Sequence, residues 1–174
     1  MGTDLLVCEI GDTFADDLDT RFLVDDPFDV VVPCGHSLER RRTIRFADLS
    51  RENWLLGDFG PNSPSFRMID RRCREAGFDP NVVYRVNDCQ MAQALVAAGE
   101  GIALLPRIML RAAHSAVAIR PLSADPPMRR ISAVRLATRY LTPATDRFLA
   151  LLVQASAEYA GAPPTRVSRR FESG

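Results

Sequence analysis

The stretch LVAAGEGIALLP, residues 95–106, joins two incompatible periodicities within twelve residues. Its first half reads as the end of an apolar helix, and its second half as a buried strand closed by proline. Gly99 can end the helix, and Gly101 lets the chain turn back at once. A junction this short belongs to a fold in which helices and strands alternate around a sheet.

The rest of the chain keeps that alternation. Residues 5–9 and 28–32 read as strands, the second (FDVVV) a buried run ended by Pro33 and a turn at Gly35. IRFADLS offers one helical turn before a short strand in NWLL, and GDFGPNSPS is then a loop by its Gly, Pro, Asn and Ser content. Ser63 is a good N-cap, and Pro64 suits the first helical position, where no N–H is needed. Phe66, Ile69, Cys73 and Ala76 fall on one face of that helix, and Gly77 ends it. NVVYRV reads as a strand, Asn87-Asp88 caps the next helix, and Met91, Leu95 and Ala98 form its expected buried stripe. A short helix at 107–113 follows, then strands in VAIRPL and ISAVRLAT separated by a SADPPMRR linker. Thr142-Pro143 opens a last helix with Phe148, Leu151, Leu152, Ala155 and Tyr159 facing inward, and residues 161–174 read as a disordered, frayed tail. Together these elements predict an α/β fold with a mostly parallel sheet and right-handed crossovers.

Composition narrows the function. The 174 residues suit one ordinary domain, 47% hydrophobic and 25% charged. A formal net charge of zero argues against nucleic acid as a direct partner. The arginine runs at 40–42, 71–72 and 129–130 lack interleaved aromatics and read as solvated faces. No apolar run approaches the roughly 18 residues of a membrane helix, and MGTDLLVCEI carries no basic signal-peptide region, so a cytoplasmic protein without membrane contact is expected. Cys8, Cys34, Cys73 and Cys89 have no CxxC spacing and read as buried reduced thiols; His36 and His114 are isolated. No metal or cofactor is expected. GxSxG, Walker and GxGxxG motifs are missing, and Asp25-Asp26 reads as a solvated turn, so no catalytic set emerges and no enzyme is expected.

One device repeats. Polar helix caps follow strand ends directly, at Asn62-Ser63 after NWLL and at Asn87-Asp88 after NVVYRV. In a parallel sheet both helix N-termini lie on one edge, where their N–H groups and positive dipole ends suit a carboxylate or other small anion. Asp88 opposes an anion, so it either caps its own helix or faces a donor group of the ligand.

In order, the chain shows DLLV, PCGHSL, ADL followed by NW, EAGFDP, LVAAGEGIALLP, RPL and TPATDRFLALL. This resembles the effector-binding domain of LysR-type transcriptional regulators over residues 4–159. The resemblance implies two α/β subdomains like those of type 2 periplasmic binding proteins, with a small-molecule effector, an organic acid or aromatic, in the cleft between them. In full-length members a winged helix-turn-helix contacts DNA, and effector binding shifts the arrangement of a tetramer. By position, residues 1–25 correspond to a remnant of the first subdomain, 26–125 to the second, and 126–160 to the return to the first. The implied effector contacts are Pro33, Asn62, Ser63, Ser65, Asn87, Gln90, Leu105 and Pro106. The sequence departs from the family by lacking the helix-turn-helix, the linker helix and the opening elements of the first subdomain. Exposed sheet edges and apolar helix faces, and hence self-association, are expected from that. The alternative on the same fold is a transporter's solute-binding protein, disfavoured by the missing leader and unpaired cysteines.

Overall fold

The computed structural model describes residues 5–9, 17–57, 63–138 and 142–161. Along the chain run β1 (Leu6–Glu9), β2 (Leu18–Pro33), β3 (Asn53–Gly57), α1 (Pro64–Glu75), β4 (Asn81–Val86), α2 (Cys89–Ala97), β5 (Ile102–Pro106), β6 (Val117–Pro121), β7 (Met128–Leu136) and α3 (Pro143–Gly161). Single 3-10 turns occupy Ser37–Arg40, Phe46–Leu49 and Arg107–Leu110, the last shorter and tighter than the helix expected at 107–113. The chain divides into two compact units: unit 1 holds residues up to Asp26 together with those from Met128, and unit 2 is Pro27–Pro127. Residues 162–174 of the expected tail lie outside the described residues.

Within unit 2 the strand order is β6-β2-β5-β3-β4. β3 is parallel to β4 and β5, whereas β2 is antiparallel to β5 and β6. The sheet is therefore mixed: strands linked through helices are parallel, as expected, and β2 runs against its neighbours. From β3 the chain winds through α1 to β4, then reverses past β3 through α2 to β5. With right-handed crossovers such a reversal sends successive helices to opposite faces. Val30, Val32, Trp54, Leu56, Ile102 and Leu104 accordingly pack with Ile69 and Cys73 of α1. The alternate residues Val31, Leu55, Ala103 and Leu105 pack with Ala92 and Val96 of α2, the two-residue period of a sheet buried on both faces.

Both helices begin and end as their sequences dictate. Phe66 N–H donates to Ser63 Oγ at 3.1 Å and Met91 N–H to Asp88 Oδ1 at 2.7 Å. At the far ends Gly77 and Gly99 take φ of +83° and +85°. Phe78 N–H then reaches Cys73 O (3.1 Å) and Glu100 N–H reaches Leu95 O (3.2 Å), so orphan carbonyls of each last turn are satisfied. The buried stripe of α2 differs from expectation: Ala92, Gln93 and Val96 face the core, while Met91 is 56% exposed. Gln93 hides the pattern by being polar and buried, its Oε1 accepting from His114 N–H at 2.9 Å.

The turn Phe46–Leu49 is held by Asp48, whose carboxylate accepts from Arg41 Nη1 (2.7 Å) and Arg45 Nη2 (2.8 Å). The Arg45 side chain is the main cause that holds the Asp48 carboxyl down, from 3.8 to about 2. Because the folded value is depressed, the stability Asp48 contributes is complete above its ordinary titration range and is lost as pH falls through about 2. A carboxyl-carbon NMR titration should put its midpoint near 2; a midpoint near 3.8 would mean the arginines do not hold it in solution.

Within unit 1 the order is β1-β7-β2, with β1 antiparallel to β7 in the register Leu6↔Val134 to Glu9↔Ile131. Val24, Ser132, Ala133 and Val134 are buried. Thr142 caps α3 by accepting from Thr145 N–H at 3.2 Å. The inward face expected for this helix is not buried: no residue of α3 is, and Phe148 and Leu151 are 51% and 48% exposed. Asp25-Asp26 also departs from expectation. Asp25 is exposed and pairs with Arg130 at 3.4 Å, as a solvated residue would, but Asp26 is 0% exposed. Arg129 donates to its Oδ2 (Nε, 2.9 Å) and Tyr159 OH to its Oδ1 (3.0 Å), because a buried carboxylate must be paired.

Candidate functional site

Parallel pairing of β3 with β4 and β5 brings Gly57, Val86 and Pro106 to the same sheet edge of unit 2. α1 and α2 start beyond that edge, so the N-terminal turns at Ser63 and Asp88 lie on the same side as the end of β5. β3 lies where the winding reverses, and in open α/β sheets ligands bind outside the carboxyl ends of strands at such a point. The first-turn amides of an α-helix have no carbonyl partner within the helix and carry its positive dipole end, which favours negative or electron-rich ligand atoms.

Because β2 opposes β5 with Phe28↔Pro106 and Asp29↔Leu105, the beginning of its unit 2 portion reaches this edge too. Asp29 is 4% exposed and accepts from Arg107 Nε (2.7 Å) and Nη2 (2.8 Å), a two-pronged pair fastening the turn after β5 to β2. Sequence reading missed this pair. Its signal was an aspartate inside the apolar run FDVVV, which alternation assigns to a buried face where it needs a cation. Arg85, one residue before the end of β4, stands over the Phe66 ring of α1 at 5.8 Å.

Ser63, Ser65, Asn87, Gln90, Leu105 and Pro106 all belong to this edge or to the helix turns beyond it. Asn87 and Gln90 are exposed there; Ser65, Leu105 and Pro106 are buried and offer little side chain to solvent. Asn62 lies outside the described residues. Pro33 does not join them. It pairs with Val117 at the opposite end of β2, beyond Val31↔Ala103, because β2 runs antiparallel to β5 and its last residue leaves from the other edge.

The histidines have local roles: His36 Nδ1 accepts from Leu38 N–H (3.3 Å), and His114 Nδ1 accepts from Ala116 N–H (3.2 Å). The cysteines are free thiols, but of the four only Cys73 is buried, with its thiol pushed up to about 12 by burial. Among the described residues no group of three or more His, Cys, Asp or Glu could hold a metal ion, and no helix is long and apolar enough to cross a membrane.

The family model of the LysR substrate binding domain matches residues 6–157. The chain belongs to that family. Among curated relatives, the HTH-type transcriptional regulator CbbR of Xanthobacter flavus is 30% identical over 145 residues, 81% of this chain and 43% of its own length. The transcriptional dual regulator GltC of Bacillus subtilis is 24% identical over 139 residues, 79% of this chain and 46% of its own. This LysR-family chain thus spans less than half the length of these relatives. Among solved structures, the effector binding domain of QuiR in complex with shikimate superposes with a TM-score of 0.74 at 22% identity, covering 90% of this chain and 73% of that one. The type 2 periplasmic-binding-protein-like fold is therefore the fold of this chain, and nothing in these relatives supports a transporter's solute-binding protein.

Proposed function

We propose that this chain is the effector-sensing part of a cytoplasmic transcriptional regulator, a binding module without catalysis whose DNA contacts are made by a helix-turn-helix domain outside these 174 residues. The observation that carries the reading is the meeting of two helix N-termini with the end of β5 at the reversal point of the unit 2 sheet. Ser63, Asn87 and Gln90, with Asn62, are the polar groups proposed to meet the effector, over a floor of Ser65, Leu105 and Pro106. The positive end of α1 favours a small organic acid, whereas at α2 the Asp88 carboxylate already caps the helix and suits a donor group of the ligand; QuiR, on the same fold, is solved with shikimate.

A thermal-shift screen of small carboxylic acids and aromatics, shikimate included, tests this on the 174-residue chain. At least one compound should raise the melting temperature in proportion to ln(1 + [L]/Kd). Ser63→Ala or Asn87→Ala should weaken that compound about tenfold, the value of one hydrogen bond of about 1.4 kcal/mol. A ligand bound equally well by both variants would have its site elsewhere.

Self-association with a second copy is part of this reading. In unit 1, Leu5, Phe22 and Leu149 rim an open depression of about 550 Å³ together with Asp19, Arg21 and Arg135. Phe22, Phe148 and Leu151 are about half exposed, β1 is an edge strand among the described residues, and a net charge of zero leaves no long-range repulsion between copies. Sedimentation velocity should find species larger than 19.3 kDa at micromolar concentration, reduced by the paired change Phe148→Glu, Leu151→Glu. A monomer across the concentration range overturns the point.

A further inference from the structure

The segment that leaves β6 toward β7 is pinned at two places by backbone hydrogen bonds. Ser123 N–H donates to Ile44 O at 2.8 Å, and Phe28 N–H donates to Pro127 O at 2.9 Å. Between these pins the backbone turns through the left-handed region at two successive non-glycine residues, Ala124 (φ 51°) and Asp125 (φ 45°). Aspartate tolerates that region but alanine does not, so Ala124 stores strain that its surroundings must hold. The hold comes from α1: Arg72 Nη2 donates to Asp125 O at 2.9 Å and also pairs with the Asp125 carboxylate. The same guanidinium donates through Nη1 to Glu75 Oε2 at 3.2 Å, while its Nε is buried with no hydrogen-bond partner among the described residues. A strained turn and an unsatisfied buried donor thus meet at one contact, and costs of this kind collect where a structure has more than one arrangement.

We propose that Arg72 is a latch coupling α1 to the opposite flank of the effector edge through the strained turn at Ala124-Asp125. The path is continuous in unit 2. The first turn of α1 stands at the edge; Arg72, two turns further along, grips Asp125; Pro127 O holds Phe28 N–H; Phe28 opposes Pro106 in the sheet, next to the Asp29–Arg107 pair. Moving α1 by its N-terminus therefore pulls on the turn that fixes the start of β2 at that same edge. The Asp125 side chain is 82% exposed, so the ion pair opens to water without disturbing the core. Naming the edge as the effector's rests on the proposed function above, but the coupling itself needs no ligand to be measured.

Amide hydrogen exchange on the full chain reads it directly. In Arg72→Met the amides of Phe28 and Ser123 should exchange at least tenfold faster, and those of Phe66 and Arg67 in the first turn of α1 at least threefold faster. Val30 and Val31 in the sheet should not change. Asp125→Asn, which keeps the side-chain shape and the preference for left-handed backbone, should do the same more weakly and serves if Arg72→Met fails to fold. Relieving the strain with Ala124→Gly should cut the effect of Arg72→Met below threefold, an outcome that a simple surface ion pair does not produce. Unchanged exchange at Phe28 and Ser123 in both charge variants, loosening that stops short of Phe66 and Arg67, or equal effects with and without Ala124→Gly would each overturn the proposal. A latch that behaves as stated while no effector is found would leave the coupling intact and refute only the functional reading.

Discussion

Asp26→Ala is expected to destabilise unit 1 by about 3–5 kcal/mol, the largest effect of any single change at a charged residue here. Asp26 is 0% exposed, and its two oxygens divide between Arg129 and the hydroxyl of Tyr159. Removing the carboxylate leaves the Arg129 guanidinium, whose side chain is 20% exposed, largely out of water without its counter-charge. Tyr159→Phe removes one hydrogen bond to a charged group and should lose about 1.5–3 kcal/mol. Asp25→Ala, one residue away but solvated, should change stability by no more than about 0.5 kcal/mol. Urea unfolding followed by far-UV ellipticity ranks the three; an Asp26→Ala loss no greater than that of Asp25→Ala would show that the pair is not buried in solution.

The second large effect lies in the GEG junction, whose two glycines are needed for different reasons. A Cβ on Gly101 would stand 2.5 Å from Asn53 O and 2.9 Å from Leu55 Cδ1. Asn53 belongs to β3, held on both sides by β4 and β5, so the clash is with backbone that cannot retreat. Gly101→Ala should therefore cost about 3 kcal/mol, the upper end for overpacking. Gly99 has open space around the same position but φ of +85°, so Gly99→Ala should cost only the left-handed penalty of about 1–2 kcal/mol. Asparagine separates the two causes. It tolerates left-handed backbone and should rescue position 99, whereas at 101 it is larger than alanine and should be worse. Urea midpoints from the emission of Trp54, the neighbour of Asn53, check both; rescue at 101 by asparagine would refute the steric account.

These contrasts show which parts of the structure are legible in sequence. Local rules carried far: Ser63 and Asp88 cap their helices, Gly77 and Gly99 end them, and each apolar run lies in a strand, but β2 already begins at Leu18 in the polar stretch LDTR and β7 at Met128 in the expected linker. Strand direction is not a local property. Nothing in FDVVV says that β2 runs against β5, and that one reversal moves Pro33 to the far edge while bringing Phe28 and Asp29 to the near one. Long-range pairing is equally hidden. Asp26 reads as a turn residue until Arg129, 103 positions away in sequence, comes beside it, and the partner of Asp29 is 78 positions away. Polar burial misleads in the same manner, since Gln93 faces the core where periodicity assigned an apolar stripe to its neighbours.

The bareness of α3 decides which instruments can watch this protein unfold. Nineteen residues of helix without one fully buried side chain draw less support from packing than α1 and α2 do, and Tyr159, through its hydrogen bond to Asp26, ties the last turns of α3 to unit 1. The melting of α3 belongs at the low-stability end of the molecule, apart from the sheet of unit 2. The chain's one tryptophan, Trp54, is buried in that sheet, so its fluorescence follows unit 2 alone, while far-UV ellipticity counts α3 with everything else. The two signals then trace different curves, and a single unfolding free energy fitted to either describes only the part that signal can see.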